Sequence, residues 1–75
     1  MEWLNQFEDE VEKILAGDRY EVFLPSDIRD VGNRVIHIWD RDGFLVKAYL
    51  ITPTSWKKDL DTIRSVKKHI LDKEI

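Results

Sequence analysis

Arg34-Val35-Ile36-His37-Ile38-Trp39-Asp40-Arg41-Asp42-Gly43-Phe44-Leu45-Val46-Lys47-Ala48-Tyr49-Leu50-Ile51 is the stretch whose reading decides the fold. Two runs rich in β-branched and aromatic residues flank Asp40 to Gly43. That turn sequence suits a type I turn followed by a glycine in the left-handed region, which forms a bulge and closes a β-hairpin. In this geometry Asp40 lies opposite Phe44, and regular pairing continues as Ile38 with Val46 and Ile36 with Ala48. Those residues and Leu50 make an aliphatic face suited to a core. The opposite face then carries Trp39 beside Leu45, His37 beside Lys47, and Val35 beside Tyr49. A slip of one residue exchanges the two faces.

A sheet covered by helices on one side needs only one apolar face. The second apolar face is surplus, and it points to a partner.

Upstream, Trp3, Leu4, Phe7, Val11, Ile14 and Leu15 recur at steps of three and four, the spacing of one helix face. This predicts a helix over residues 2–16, ended by Gly17, which takes positive φ without a Cβ penalty. Tyr20 to Leu24 reads as a short strand with Tyr20, Val22 and Leu24 on one face, stopped by Pro25, which donates no ladder hydrogen bond. Ser26 to Asn33 reads as a loop or single helical turn, capped by Ser26 and pinned to the core by Ile28 and Val31. Downstream, Thr52 to Ser55 is turn and N-cap chemistry for a helix starting near Trp56. Trp56, Leu60, Ile63, Val66, Ile70 and Leu71 hold the helical period to the end of the chain. Lys67 falls within that apolar arc, so it snorkels to the edge or meets a glutamate such as Glu10.

The expected architecture is two-layer α+β over residues 1–75, one small domain of element order α-β-β-β-α. Its three-stranded antiparallel meander carries both helices on one face. Double-stranded RNA-binding domains share this element order, an analogy of fold without functional weight. The residues themselves carry no family signature.

Seventy-five residues without cysteine rely on one hydrophobic core, with no disulfide or thiolate zinc site to reinforce it. The longest uninterrupted apolar run, Ala48 to Ile51, is far short of a membrane span. Met1-Glu2-Trp3 is acidic where an export signal is basic. A cytoplasmic location is the expectation.

Charge is uneven. Residues 1–30 hold nine acids and three bases, residues 31–75 six acids and nine bases. The simplest use of this asymmetry is complementarity of the two halves within one fold. A net charge of −3 argues against non-specific nucleic-acid binding.

Chemistry-bearing motifs are absent. His37 and His69 have no helical or hairpin spacing, and no nucleophile elbow or glycine-rich phosphate loop exists. No catalytic residue, cofactor, metal or small-molecule substrate is expected. The surface that stands out is the outer sheet face: Trp39, Tyr49, Leu45, His37 and Lys47, with Phe23 and Val35 at its margin. Aromatics with a few polar groups have the composition of an interface core. They suit a protein partner or a second copy in a homodimer, and so a regulatory or inhibitory accessory domain of the kind phages and mobile elements carry. The rival is a nucleic-acid module that stacks bases on the sheet aromatics and grips phosphates with Lys57, Arg64 and Lys68. Asp61 interrupts that basic stripe, which favours intrahelical pairing instead. Glu8, Asp9, Glu10 and Glu12 give the first helix an acidic face, either solvated surface or an imitation of phosphates.

Overall fold

A computed structural model describes residues 1–27, 29 and 31–73. The elements are α1 (Glu2–Ile14), β1 (Tyr20–Phe23), β2 (Arg34–Trp39), β3 (Leu45–Ile51) and α2 (Trp56–Asp72). The strands form one antiparallel sheet in the order β1-β2-β3. This is the expected α+β meander.

Helix periodicity sets the core. Phe7, Val11 and Leu15 from the α1 segment meet Trp56, Leu60, Ile63, Val66 and Ile70 of α2, and both rows close over Ile36, Ile38 and Ile51 of the sheet. Phe7 and Trp56 contact edge to face, with ring centroids 6.5 Å apart, a geometry favoured by the aromatic quadrupole. Helix α1 ends two residues before the predicted limit of 16, and Gly17 turns the chain at φ +84°. Helix α2 starts at Trp56 as expected. The Ser55 hydroxyl does not cap a backbone amide there. It donates to Asp59 Oδ2 at 2.7 Å, while the Ser55 amide donates to Thr52 Oγ1 at 3.0 Å.

The hairpin turn forms as its sequence dictates. The Gly43 amide donates to the Asp40 carbonyl at 3.1 Å, the Asp40 amide to the Phe44 carbonyl at 2.8 Å, and Gly43 adopts φ +89°. Trp39 then pairs with Leu45. Beyond that pair the regular register fails: Val46 is an extra residue, so Ile38 faces Lys47, His37 faces Ala48, Ile36 faces Tyr49 and Val35 faces Leu50. A second bulge one pair from the turn has reversed the phase of the rest of β3. Val46 still packs on the core, and Tyr49 joins it. Ala48 and Leu50, expected inside, are exposed.

Other expectations also need correction. Strand β1 stops at Phe23, and Leu24 is 59% exposed rather than inward. Leu71 lies off the buried row of α2 and is exposed. Val31 is exposed and pins nothing, while Ile28 lies outside the described residues. The Arg29 amide is held at 2.9 Å by the Asp27 carboxylate, not by Ser26.

Lys67 finds Asp18, not Glu10. The Asp18 carboxylate is fully shielded from solvent and takes hydrogen bonds from Lys67 Nζ and, at 2.9 Å, from Arg41 Nε. Asp40 is nearly as buried and accepts the amides of Asp42 and Phe44 at 3.0 and 2.9 Å and Lys73 Nζ at 3.0 Å. Burial works to raise the Asp18 carboxyl pKa, but the hydrogen bonds and charges of Lys67 and Arg41 outweigh it and hold it below the usual carboxylate value. The Phe44 amide and then Lys73 lower that of Asp40. The acid-rich first half is thus tied to the base-rich second half through Asp18.

Candidate protein-binding face

Alternation along the three strands places a three-by-three array of side chains on the side away from the helices. Arg19, Glu21 and Phe23 come from the β1 segment, Val35, His37 and Trp39 from β2, and Leu45, Ala48 and Leu50 from β3. The rows follow the register: Phe23–Val35–Leu50, Glu21–His37–Ala48, and Arg19–Trp39–Leu45. The last row is closed by the Trp39 amide, which donates to the Arg19 carbonyl at 3.0 Å.

The aromatics form a continuous ladder. Phe23 meets His37 edge to face at 4.6 Å and 85°, and His37 meets Trp39 at 5.7 Å and 70°. The Arg19 guanidinium lies 4.2 Å over the Trp39 ring, an attraction to the negative face of the π-system. Around the ladder Phe23 is 38%, Leu50 44% and Leu45 50% exposed. The face is apolar, and its formal charges are one cation and one anion, both in the β1 column.

Five of the seven residues expected here are present: Trp39, Leu45, His37, Phe23 and Val35. Tyr49 and Lys47 are not. The Val46 bulge turns both to the helix side, where the Tyr49 hydroxyl donates to the Asp59 carbonyl at 3.2 Å and Lys47 Nζ lies 5.8 Å from the Tyr49 ring. Burial, then the Asp59 charge, raise the Tyr49 pKa. Ala48 and Leu50 take their places. Arg19 and Glu21 join the face beside Phe23 and are not among the seven expected residues, which are apolar or aromatic apart from His37 and Lys47. The alternation of Arg19, Glu21 and Phe23 about the predicted strand was the available signal.

The basic stripe of the rival reading is exposed on α2 at Lys57, Arg64 and Lys68. Arg64 is bound by Asp61 at 2.8 Å, and Lys57 Nζ sits 5.5 Å from the Trp56 ring. On α1, Glu8, Asp9 and Glu12 are exposed, Glu10 pairs with Lys13 at 3.2 Å, and Glu12 accepts the Tyr20 hydroxyl. Burial and that hydrogen bond push the Tyr20 pKa up to about 12. His37 lies on the outer sheet face and His69 on α2. Among the described residues, no group of three or more histidine and carboxylate side chains is placed to hold a metal ion. Two clefts of about 420 and 370 Å³ lie elsewhere, one by Asp40, Arg41 and Lys73, the other between the helices by Glu10, Lys13 and Trp56. Among the described residues, no helix is long and apolar enough to cross a membrane.

Neither a family model, nor a curated protein, nor a solved structure matches this chain.

Proposed function

We propose that this chain is a non-catalytic, cytoplasmic protein-binding domain, regulatory or inhibitory in role, which recognises a protein partner through the outer face of its sheet. One observation carries the reading. The Phe23–His37–Trp39 ladder lies among exposed Leu45 and Leu50 while both helices pack on the other side. Exposed apolar patches of this kind mark interaction surfaces, and rigid aromatics with an arginine are the residues that dominate interface energetics. Covering on the order of 400–800 Å² per partner at about 25 cal/mol per Å² competes with an association cost of about 4–15 kcal/mol. Polar and charged rim groups then set orientation more than affinity.

The test uses the full chain as immobilised bait in an extract of its own cell. Trp39→Lys is expected to release the retained protein, while joint replacement of Lys57, Arg64 and Lys68 by alanine leaves it bound. Retention unaffected by Trp39→Lys would overturn the assignment of the face. Nucleic acid retained instead, lost with the three basic residues and with rising salt, would establish the rival reading.

A further inference from the structure

Resting on that reading, we infer that the outer face carries a proton switch, with neutral His37 accepting the protein partner and protonated His37 releasing it. Position makes the case. His37 occupies the centre of the array, opposite Glu21 of β1 and Ala48 of β3. It touches both other rings of the ladder, Phe23 at 4.6 Å and Trp39 at 5.7 Å. A partner that covers the ladder therefore covers this imidazole. Histidine is the side chain whose ordinary charge change falls between pH 5 and 8.

The neighbours decide the sign. From β1, Glu21 faces His37 and Arg19 lies one row on. From β3, Ala48 faces it, with Leu45 and Leu50 on the diagonals, and none of these three titrates. Lys47 lies on the helix side of β3 and His69 on α2. Among the described residues His37 makes no hydrogen bond or ion pair, with Glu21 or any other group. An imidazolium here has no counter-charge in place. It also shares the Trp39 indole with the Arg19 guanidinium, which lies 4.2 Å over the same ring. One anion and one cation become one anion and two cations.

Covering the face strips water from that extra charge, which disfavours the charged form. The partner therefore binds the neutral form better, and binding expels the proton. By linkage, affinity is full where the imidazole is neutral and falls as the pH drops, by up to about tenfold per pH unit for one proton. Glutamate and arginine ordinarily keep their charges over this range, so among the groups of the face His37 supplies the change.

The experiment has two arms. In the first, tryptophan emission of the free full chain is followed from pH 8 to 5. An imidazolium beside an indole quenches it, so a step is expected that vanishes in His37→Gln and in Trp39→Phe. In the second, the protein retained by the immobilised chain is isolated, and its affinity is measured near pH 7.5 and pH 5.5. The wild-type chain is expected to lose about tenfold, and His37→Gln and His37→Phe, uncharged throughout, under about twofold. Circular dichroism at both pH values checks that each variant is folded, and His37→Phe keeps a ring in the ladder. Affinity that is flat with pH, or rises toward acid, overturns the inference. So does a loss that persists in both uncharged variants, or an emission curve without the step. Those results leave the binding face standing as long as Trp39→Lys still releases the partner. Retention indifferent to Trp39→Lys sinks the reading on which the switch rests, and the switch with it.

Discussion

Lys67 reaches from the apolar arc of α2 to Asp18, 49 residues away in sequence, and shares that buried carboxylate with Arg41. Removing the carboxylate leaves two cations facing each other, whereas removing one cation leaves the other in place. Asp18→Ala should therefore cost about 2 kcal/mol, below the 3–5 of a fully buried pair because both cations keep some solvent. Lys67→Met should cost less than half as much. Urea unfolding of the two variants checks the asymmetry, and equal losses would count against it.

Acid should weaken the fold at a definite place. Asp18 and Asp40 both titrate below their unfolded value near 3.9. The stability they contribute is fully present above pH ~4 and is lost as the pH falls through their folded values. Thermal midpoints should be flat from pH 7 to about 5 and drop below pH ~4. The Asp18→Asn variant should show a shallower drop.

The two sheet faces should respond oppositely to truncation. Ile38 is fully buried, and Ile38→Ala should destabilise by about 2–5 kcal/mol through the cavity it leaves. Leu50 is half exposed, and Leu50→Ala should stay within about 0.5 kcal/mol of the parent while weakening retention of the protein partner. Chemical denaturation and partner capture, measured on the same samples, separate the two effects.

Tyr49→Phe tests the register directly. Its hydroxyl donates to the Asp59 carbonyl on α2, so the loss should be about 1 kcal/mol of stability with association unchanged. An effect on association alone would return Tyr49 to the outer face.

Why the sequence placed Ile36 and Ile38 correctly and Tyr49 wrongly has a physical answer. Helix positions follow from a period that each turn re-registers by its own hydrogen bonds, so Phe7, Val11, Leu60 and Ile63 were legible from spacing alone. Strand β2 was legible too, because its alternation is unbroken. On β3 the alternation argument assumes that the turn transmits its phase to the strand end. Leu45, Val46, Lys47, Ala48, Tyr49, Leu50 and Ile51 have an apolar residue at nearly every position, so either phase offers a credible core. Packing decided it: Tyr49 and Ile51 inside fill more space beneath the helices than Ala48 and Leu50 would. Lys67 was recognised as anomalous, but its partner sat in a loop whose position no periodicity fixes.

The extra residue at Val46 has a consequence for how this surface changes over time. It uncouples the turn from the strand that follows, so the hairpin can keep its loop while the far half of β3 is dealt either hand. Regular pairing would show the outside world a tyrosine and a lysine; the bulged chain shows an alanine and a leucine. Gaining or losing that one irregularity rewrites the chemical alphabet of the face in a single step, with Ile36, Ile38 and the turn left untouched.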